Sequence, residues 1–103
     1  MLIHQVFFHF REGLPPDELT TVKHSLLAMK EVIAEIREAR WRVNTSREER
    51  DCGFKYGITL AFDGQRELDA YLTHPHHQDV CRRDLFPALA SIHKGLMVFD
   101  YQE

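Results

Sequence analysis

The sequence is sparing in cysteine, glycine and proline and contains no long apolar run. Its two cysteines, Cys52 and Cys81, lie 29 positions apart with no CxxC pair. That fits reduced thiols in a cytoplasmic setting better than a disulfide framework or a zinc site. The five glycines and four prolines are scattered as punctuation, so no flexible linker or low-complexity segment divides the chain. No apolar stretch approaches the roughly 18 residues of a membrane span. The first residues enter strand-like sequence without a basic n-region or a small-residue cleavage site, which predicts no signal peptide. An excess of positive charge is also missing. Thirteen Lys+Arg stand against sixteen Asp+Glu, a net charge of −3. A nucleic-acid partner held by bulk electrostatics is therefore not expected.

What is present is a globular composition, 44% hydrophobic and 28% charged, over 103 residues. That predicts one domain that buries roughly two-thirds of its unfolded surface. Ile3 to Phe10 reads as a strand with apolar groups on both faces: Leu2, Val6, Phe8 and Phe10 on one, Ile3 and Phe7 on the other. Pro16 followed by Asp17 and Glu18 marks a helix start, and Leu19, Val22, Leu26, Met29 and Ile33 continue at helical spacing. Leu27 and Ile36 widen the stripe. A turn is expected near Ala34-Glu35, although no Gly or Pro marks it. Trp41 to Asn44 reads as a short strand, and Thr45 to Gly53 as a solvated loop. Tyr56 to Phe62 alternates as a second long strand, closed by Asp63-Gly64. Arg66 to Thr73, His76 to Arg83 and Ala88 to His93 read as short helices separated by Pro75 and Pro87. Leu96 to Tyr101 is the last strand, again apolar on both faces.

The order β-α-β-β-α-β predicts an α+β, ferredoxin-like protomer with a four-stranded antiparallel sheet. Helices can cover only one face of that sheet. The other would leave Ile3, Phe7, Met97, Phe99 and Tyr101 facing water, more apolar surface than a soluble monomer normally shows. A sheet-to-sheet homodimer, closing a dimeric α/β barrel, is the expected remedy, with those five residues at its interface.

Three segments carry a resemblance: Ile3-His4-Gln5-Val6-Phe7-Phe8, Tyr71-Leu72-Thr73-His74-Pro75-His76-His77 and Val98-Phe99-Asp100-Tyr101. Together they resemble the stress-responsive A/B barrel domain (Dabb) family over nearly the whole chain. The resemblance implies a homodimeric barrel of ferredoxin-like protomers. For function it implies a mixed group: stress-associated plant proteins, and one branch that looks like a cofactor-free polyketide cyclase using His and Tyr between sheet and helices. In that branch the third strand begins with a His, where this chain has Tyr56. Family members often carry Pro or Gly where this chain has Ala34-Glu35, and the stretch Ser91 to Gly95 looks a few residues longer than usual.

Three residues are candidates for chemistry. His4 shares the helix-side face with Val6 and Phe8, Tyr71 lies on the second helix, and His77 follows the Pro75 break. A histidine titrates near neutral pH and can move a proton, and a tyrosine hydroxyl can donate to a developing enolate oxygen. His4, Tyr71 and His77 are therefore the candidate catalytic residues for proton abstraction next to a carbonyl, with no cofactor. Val6, Phe8, Tyr56, Ile58, Leu96 and Val98 are the expected pocket residues, Tyr56 at the mouth. A structural reading stands beside this one: Tyr71 as a core tyrosine, and His74 hydrogen-bonding the backbone groups freed at Pro75. His74, His76 and His77 are crowded but sit too close in sequence to aim at one centre, so no metal is expected. Trp41 between Arg40 and Arg42 reads as an edge plug, and Cys81 as a half-buried helix residue without an evident partner. By strand parity Asp100 faces the helices, where it orients a histidine or caps a helix. Two functions remain open: a homodimeric binding or stress-associated domain holding a small apolar metabolite, and a cofactor-independent enzyme acting on a carbonyl compound.

Overall fold

The computed structural model describes all residues, 1–103. Strand β1 (Leu2–Phe8) leads to helix α1 (Pro16–Val32), then to strands β2 (Glu38–Val43) and β3 (Tyr56–Phe62). Helices α2 (Gln65–Leu72) and α3 (Pro75–Val80), a π-helical turn (Cys81–Leu85) and a 3-10 turn (Phe86–Ala88) precede β4 (Leu96–Gln102). The strands lie in the order β2-β3-β1-β4, every neighbouring pair antiparallel. This is the ferredoxin-like sheet expected from the element order.

Pro16 opens α1, with Asp17 and Glu18 in its first turn where the unpaired N–H groups favour negative charge. Val22, Leu26 and Met29 are buried against the sheet. The helix ends at Val32 and Ala34-Glu35 form the turn, so Ile33 and Ile36 reach the core from beyond the helix rather than from it. Their burial holds a turn that no glycine or proline specifies.

Four boundaries differ from the sequence-based expectation. β1 stops at Phe8 instead of Phe10, because His9 donates to the Gly95 carbonyl and the chain then pairs with a different segment. That segment is 88–90, expected to start a helix. Arg11 N–H donates to Ala88 O and Ala90 N–H to His9 O, so those backbone groups are spent on β1's continuation. Only the short turn at Phe86–Ala88 remains helical there. The helix expected to run to Arg83 is α-helical only to Val80 and widens into the π turn. β2 begins three residues before Trp41, since Glu38 to Val43 all find partners on β3.

The helix-side face of the sheet carries the core, including Leu2, Val6, Phe8, Ile58, Leu60 and Phe62. The other face is less uniform than strand parity implies. Met97 (46% exposed), Phe99 (58%) and Tyr101 (38%) are bare, and Phe7 is half-buried. Ile3 is buried within the protomer and offers no surface to a partner, which corrects its place in the expected interface. A polar row crosses the middle: Arg42 Nε donates to Thr59 Oγ1, and Thr59 Oγ1 donates to Gln5 Oε1. No helix is long and apolar enough to cross a membrane.

Candidate functional site

Between sheet and helices lies a cavity of about 190 Å³ lined almost wholly by apolar side chains. The sheet supplies His4, Val6, Phe8, Ile58, Leu96 and Val98; the helices and turns supply Leu26, Tyr71, Leu72, His77, Cys81, Leu85 and Phe86. The π turn and the 3-10 turn after it supply Leu85 and Phe86 to the cavity wall. Ser25 Oγ donates to Asp84 Oδ2 at 2.7 Å and ties the π turn to α1.

The polar atoms are few and unequal. His4 is 5% exposed, and its Nδ1 meets Asp100 Oδ1 at 2.6 Å. The two residues face each other in the β1–β4 register. With Nδ1–H donated to the carboxylate, the lone pair of His4 sits on Nε2. Tyr71 is 4% exposed, and its ring contacts His4 at 5.9 Å and His77 at 4.2 Å between centroids. No sealed side-chain nitrogen or oxygen lacks a partner in the protomer. Neither His4 Nε2 nor the Tyr71 hydroxyl bonds to protein, and both side chains line the cavity. Burial pushes the Tyr71 phenol far above its usual range, so it stays a donor.

His77 is differently placed. Its Nδ1 lies 3.3 Å from Leu72 O and its Nε2 3.4 Å from Cys81 Sγ. One nitrogen donates to a carbonyl and the other accepts from a thiol, which is a neutral imidazole with both positions used. Its pKa is lowered, chiefly by burial, with the nearby His4 and His74 adding to the effect. Burial also raises the Cys81 thiol to about 11. Of the three candidate residues, His4 and Tyr71 thus present free polar atoms, while His77 braces Tyr71 from behind.

Among the expected pocket residues, Val6, Phe8, Ile58, Leu96 and Val98 line this space. Tyr56 does not. It packs with Phe10 and Trp41 and lines a separate cleft of about 390 Å³ with His9, Arg11, Glu12 and Lys55. That cleft is larger, but its cations are already engaged: Arg11 with Glu18 at 2.7 Å and Lys55 with Asp51 at 2.8 Å. His74 accepts from the His76 N–H as the cap of α3. No group of three or more His, Cys, Asp or Glu side chains converges to hold a metal. Strand parity already put Asp100 on the helix side, whereas the Cys81–His77 contact was open to a closer sequence reading. Asp100 shares His4's face on the neighbouring strand, and Cys81 lies four residues after His77, one helical turn away.

Residues 2–103 match the stress-responsive A/B barrel domain. The chain belongs to the Dabb family. Solved structures agree in fold. An Arabidopsis thaliana protein superposes on this Dabb chain with a TM-score of 0.90 at 17% identity, over 100% of this chain and 95% of its own. A dimeric ferredoxin-like protein of unknown function from a Jannaschia species gives 0.81 at 22% identity, covering 99% and 98%. Hydroxynitrile lyase from Passiflora edulis gives 0.84 at 18% identity, covering 97% and 90%. No match was found among curated proteins.

Proposed function

We propose that this Dabb chain is a homodimer whose cavity binds a small neutral molecule, and that His4 moves a proton on it. The observation that carries this reading is the His4–Asp100 pair opening, beside an unpartnered Tyr71 hydroxyl, into an otherwise apolar space. Asp100 fixes the tautomer and balances the charge that forms when Nε2 accepts a proton. Tyr71 donates to the oxygen on which negative charge develops. No Lys or Arg lines the cavity, so the ligand carries no carboxylate or phosphate. A dry cavity of about 150 Å³ accepts benzene, so this one suits a molecule of one ring bearing a carbonyl or hydroxyl group. The similarity to a hydroxynitrile lyase supports small-molecule chemistry of this kind.

The homodimer rests on Met97, Phe99 and Tyr101, bare on one face of the edge strand β4. The polar row Arg42–Thr59–Gln5 is already bonded internally and can be covered without orphaning a donor. Similar ferredoxin-like proteins described as dimeric support it. Phe99→Asp should turn a dimer into a monomer in sedimentation; a wild-type chain that is monomeric at micromolar concentration overturns this part.

The chemistry is tested by incubating the protein with acetophenone in deuterated water and following exchange at the carbon next to the carbonyl by NMR. The expected result is exchange that falls in His4→Gln by about 10²- to 10⁴-fold. Exchange unchanged in His4→Gln overturns the assignment. Ligand-induced thermal stabilisation without exchange favours a binding domain, the reading that the engaged nitrogens of His77 support.

A further inference from the structure

One nucleophile lines the cavity that the proton-transfer chemistry does not use. Cys81 lines the cavity, its Sγ 3.4 Å from His77 Nε2, and His77 in turn lies against the Tyr71 ring. Tyr71, buried and with no protein partner for its hydroxyl, lines the same space. A thiol, a neutral base and an oxygen-directed donor thus border one small apolar chamber.

The geometry points to Cys81 as a covalent capture site for small neutral α,β-unsaturated carbonyl compounds. This rests on the reading of the cavity as a ligand site. The carbonyl oxygen sits at Tyr71 and the β-carbon at Cys81. As the S–C bond forms, the C=C electron pair moves onto the carbonyl oxygen, giving an enolate that Tyr71 O–H holds. The thiol proton passes to His77 Nε2 and then to the α-carbon as the enolate collapses. The sum is addition of S–H across C=C, with nothing oxidised or reduced and no third reactant. His77 suits the role because its Nδ1 is tied to Leu72 O, which leaves Nε2 as the accepting atom. The raised thiol pKa means that Cys81 reacts through this base rather than as a free thiolate. Cys52, exposed on the loop before β3, has no such surroundings and serves as the internal control.

The test uses the full chain carrying Cys52→Ser, with 2-cyclohexen-1-one as the electrophile and cyclohexanone as its unreactive counterpart. Intact mass and peptide mapping should show one adduct, on Cys81. Cyclohexanone should slow its formation, and Tyr71→Phe and His77→Gln should each slow it at least about ten-fold. Iodoacetate, which is charged, should label Cys81 far more slowly than it labels Cys52 in the wild-type chain. Cys81→Ser should bind cyclohexanone and form no adduct; should that variant not fold, the Tyr71→Phe comparison decides. Absence of an adduct, a rate indifferent to Tyr71→Phe, or equal labelling of both cysteines by iodoacetate overturns the proposal. If cyclohexanone stabilises the protein yet no adduct forms, the capture site fails and the ligand cavity stands. If cyclohexanone neither stabilises nor protects, both fail.

Discussion

The two ends of β1's inner face solve the interior differently. At the Phe8 end, a packed aromatic group closes off the cavity, with Phe8 forming part of the cavity wall. Phe8 stacks on Phe10 at 5.4 Å and on Trp41 at 5.7 Å, and Tyr56 closes the group against Phe10 and Trp41. At the His4 end, four residues away, the same face borders a cavity with two unspent polar atoms. Filled apolar contact stabilises a fold, and close packing leaves little room for a ligand. A hollow with a free base and a free donor gives up dispersion contacts and gains a place for chemistry. On the proposed reading, stability rests mainly on the aromatic end of the strand and chemistry on the His4 end.

The largest expected effect tests the filled end. Phe8→Ala removes a ring that is 1% exposed and sits between two stacked neighbours. It should cost about 3–5 kcal/mol of unfolding free energy, read from denaturant titration. A loss under about 1 kcal/mol would mean that the aromatic group is not the keystone described here.

At the hollow end the effect should appear in chemistry instead. Asp100→Asn keeps the shape but lets the amide impose the other tautomer on His4, so proton exchange should fall by about 10²-fold or more. Unfolding free energy should move less than in Phe8→Ala, because Asp100 is 39% exposed and its pairing is partly solvated. Tyr71→Phe deletes a hydroxyl with no protein partner, so stability should stay within about 0.5 kcal/mol. A stability loss of about 2 kcal/mol in Tyr71→Phe would instead show that the hydroxyl is a structural bond, and the contrast between the two ends would collapse.

This contrast was partly legible beforehand. The period-2 pattern of Val6 and Phe8 placed His4 on the inner face, and the same parity placed Asp100 there. Strand parity cannot reveal which cross-strand neighbours touch, so the His4–Asp100 bond needed the register. Tyr56 was misplaced for a related reason: parity sets the face of a strand residue but not its position along the strand. Tyr56 pairs with Phe8 at the aromatic end, four register positions from His4's partner Leu60. Ile3 was assigned to the exposed face by parity, yet it is buried there, because exposure depends on neighbouring side chains as well as on direction. The loss of the expected helix after Pro87 follows from backbone pairing between 88–90 and 9–11, a long-range contact that carries no local signal.

The smallest effect concerns His77, which lies at the hollow end without offering it a free nitrogen. Burial lowers its pKa in the folded chain below the ordinary 6.5, and the Leu72 carbonyl offsets only part of this. The unfolded chain therefore binds a proton near pH 6.5 that the folded chain resists. The sign follows: the stability that comes from keeping His77 neutral is fully present above about pH 6.5 and is lost as pH falls through the lowered folded value. Denaturant midpoints should decline on acidification from about pH 7.5 to 5.5, and His77→Gln should flatten that decline. The informative quantity is the difference in slope between the wild-type chain and the variant. An identical slope would show that protonated His77 is tolerated beside Tyr71 and Cys81. The transient proton that His77 takes from Cys81 during thiol addition would then carry no stability cost, and His77 would join His4 as a second base at the hollow end.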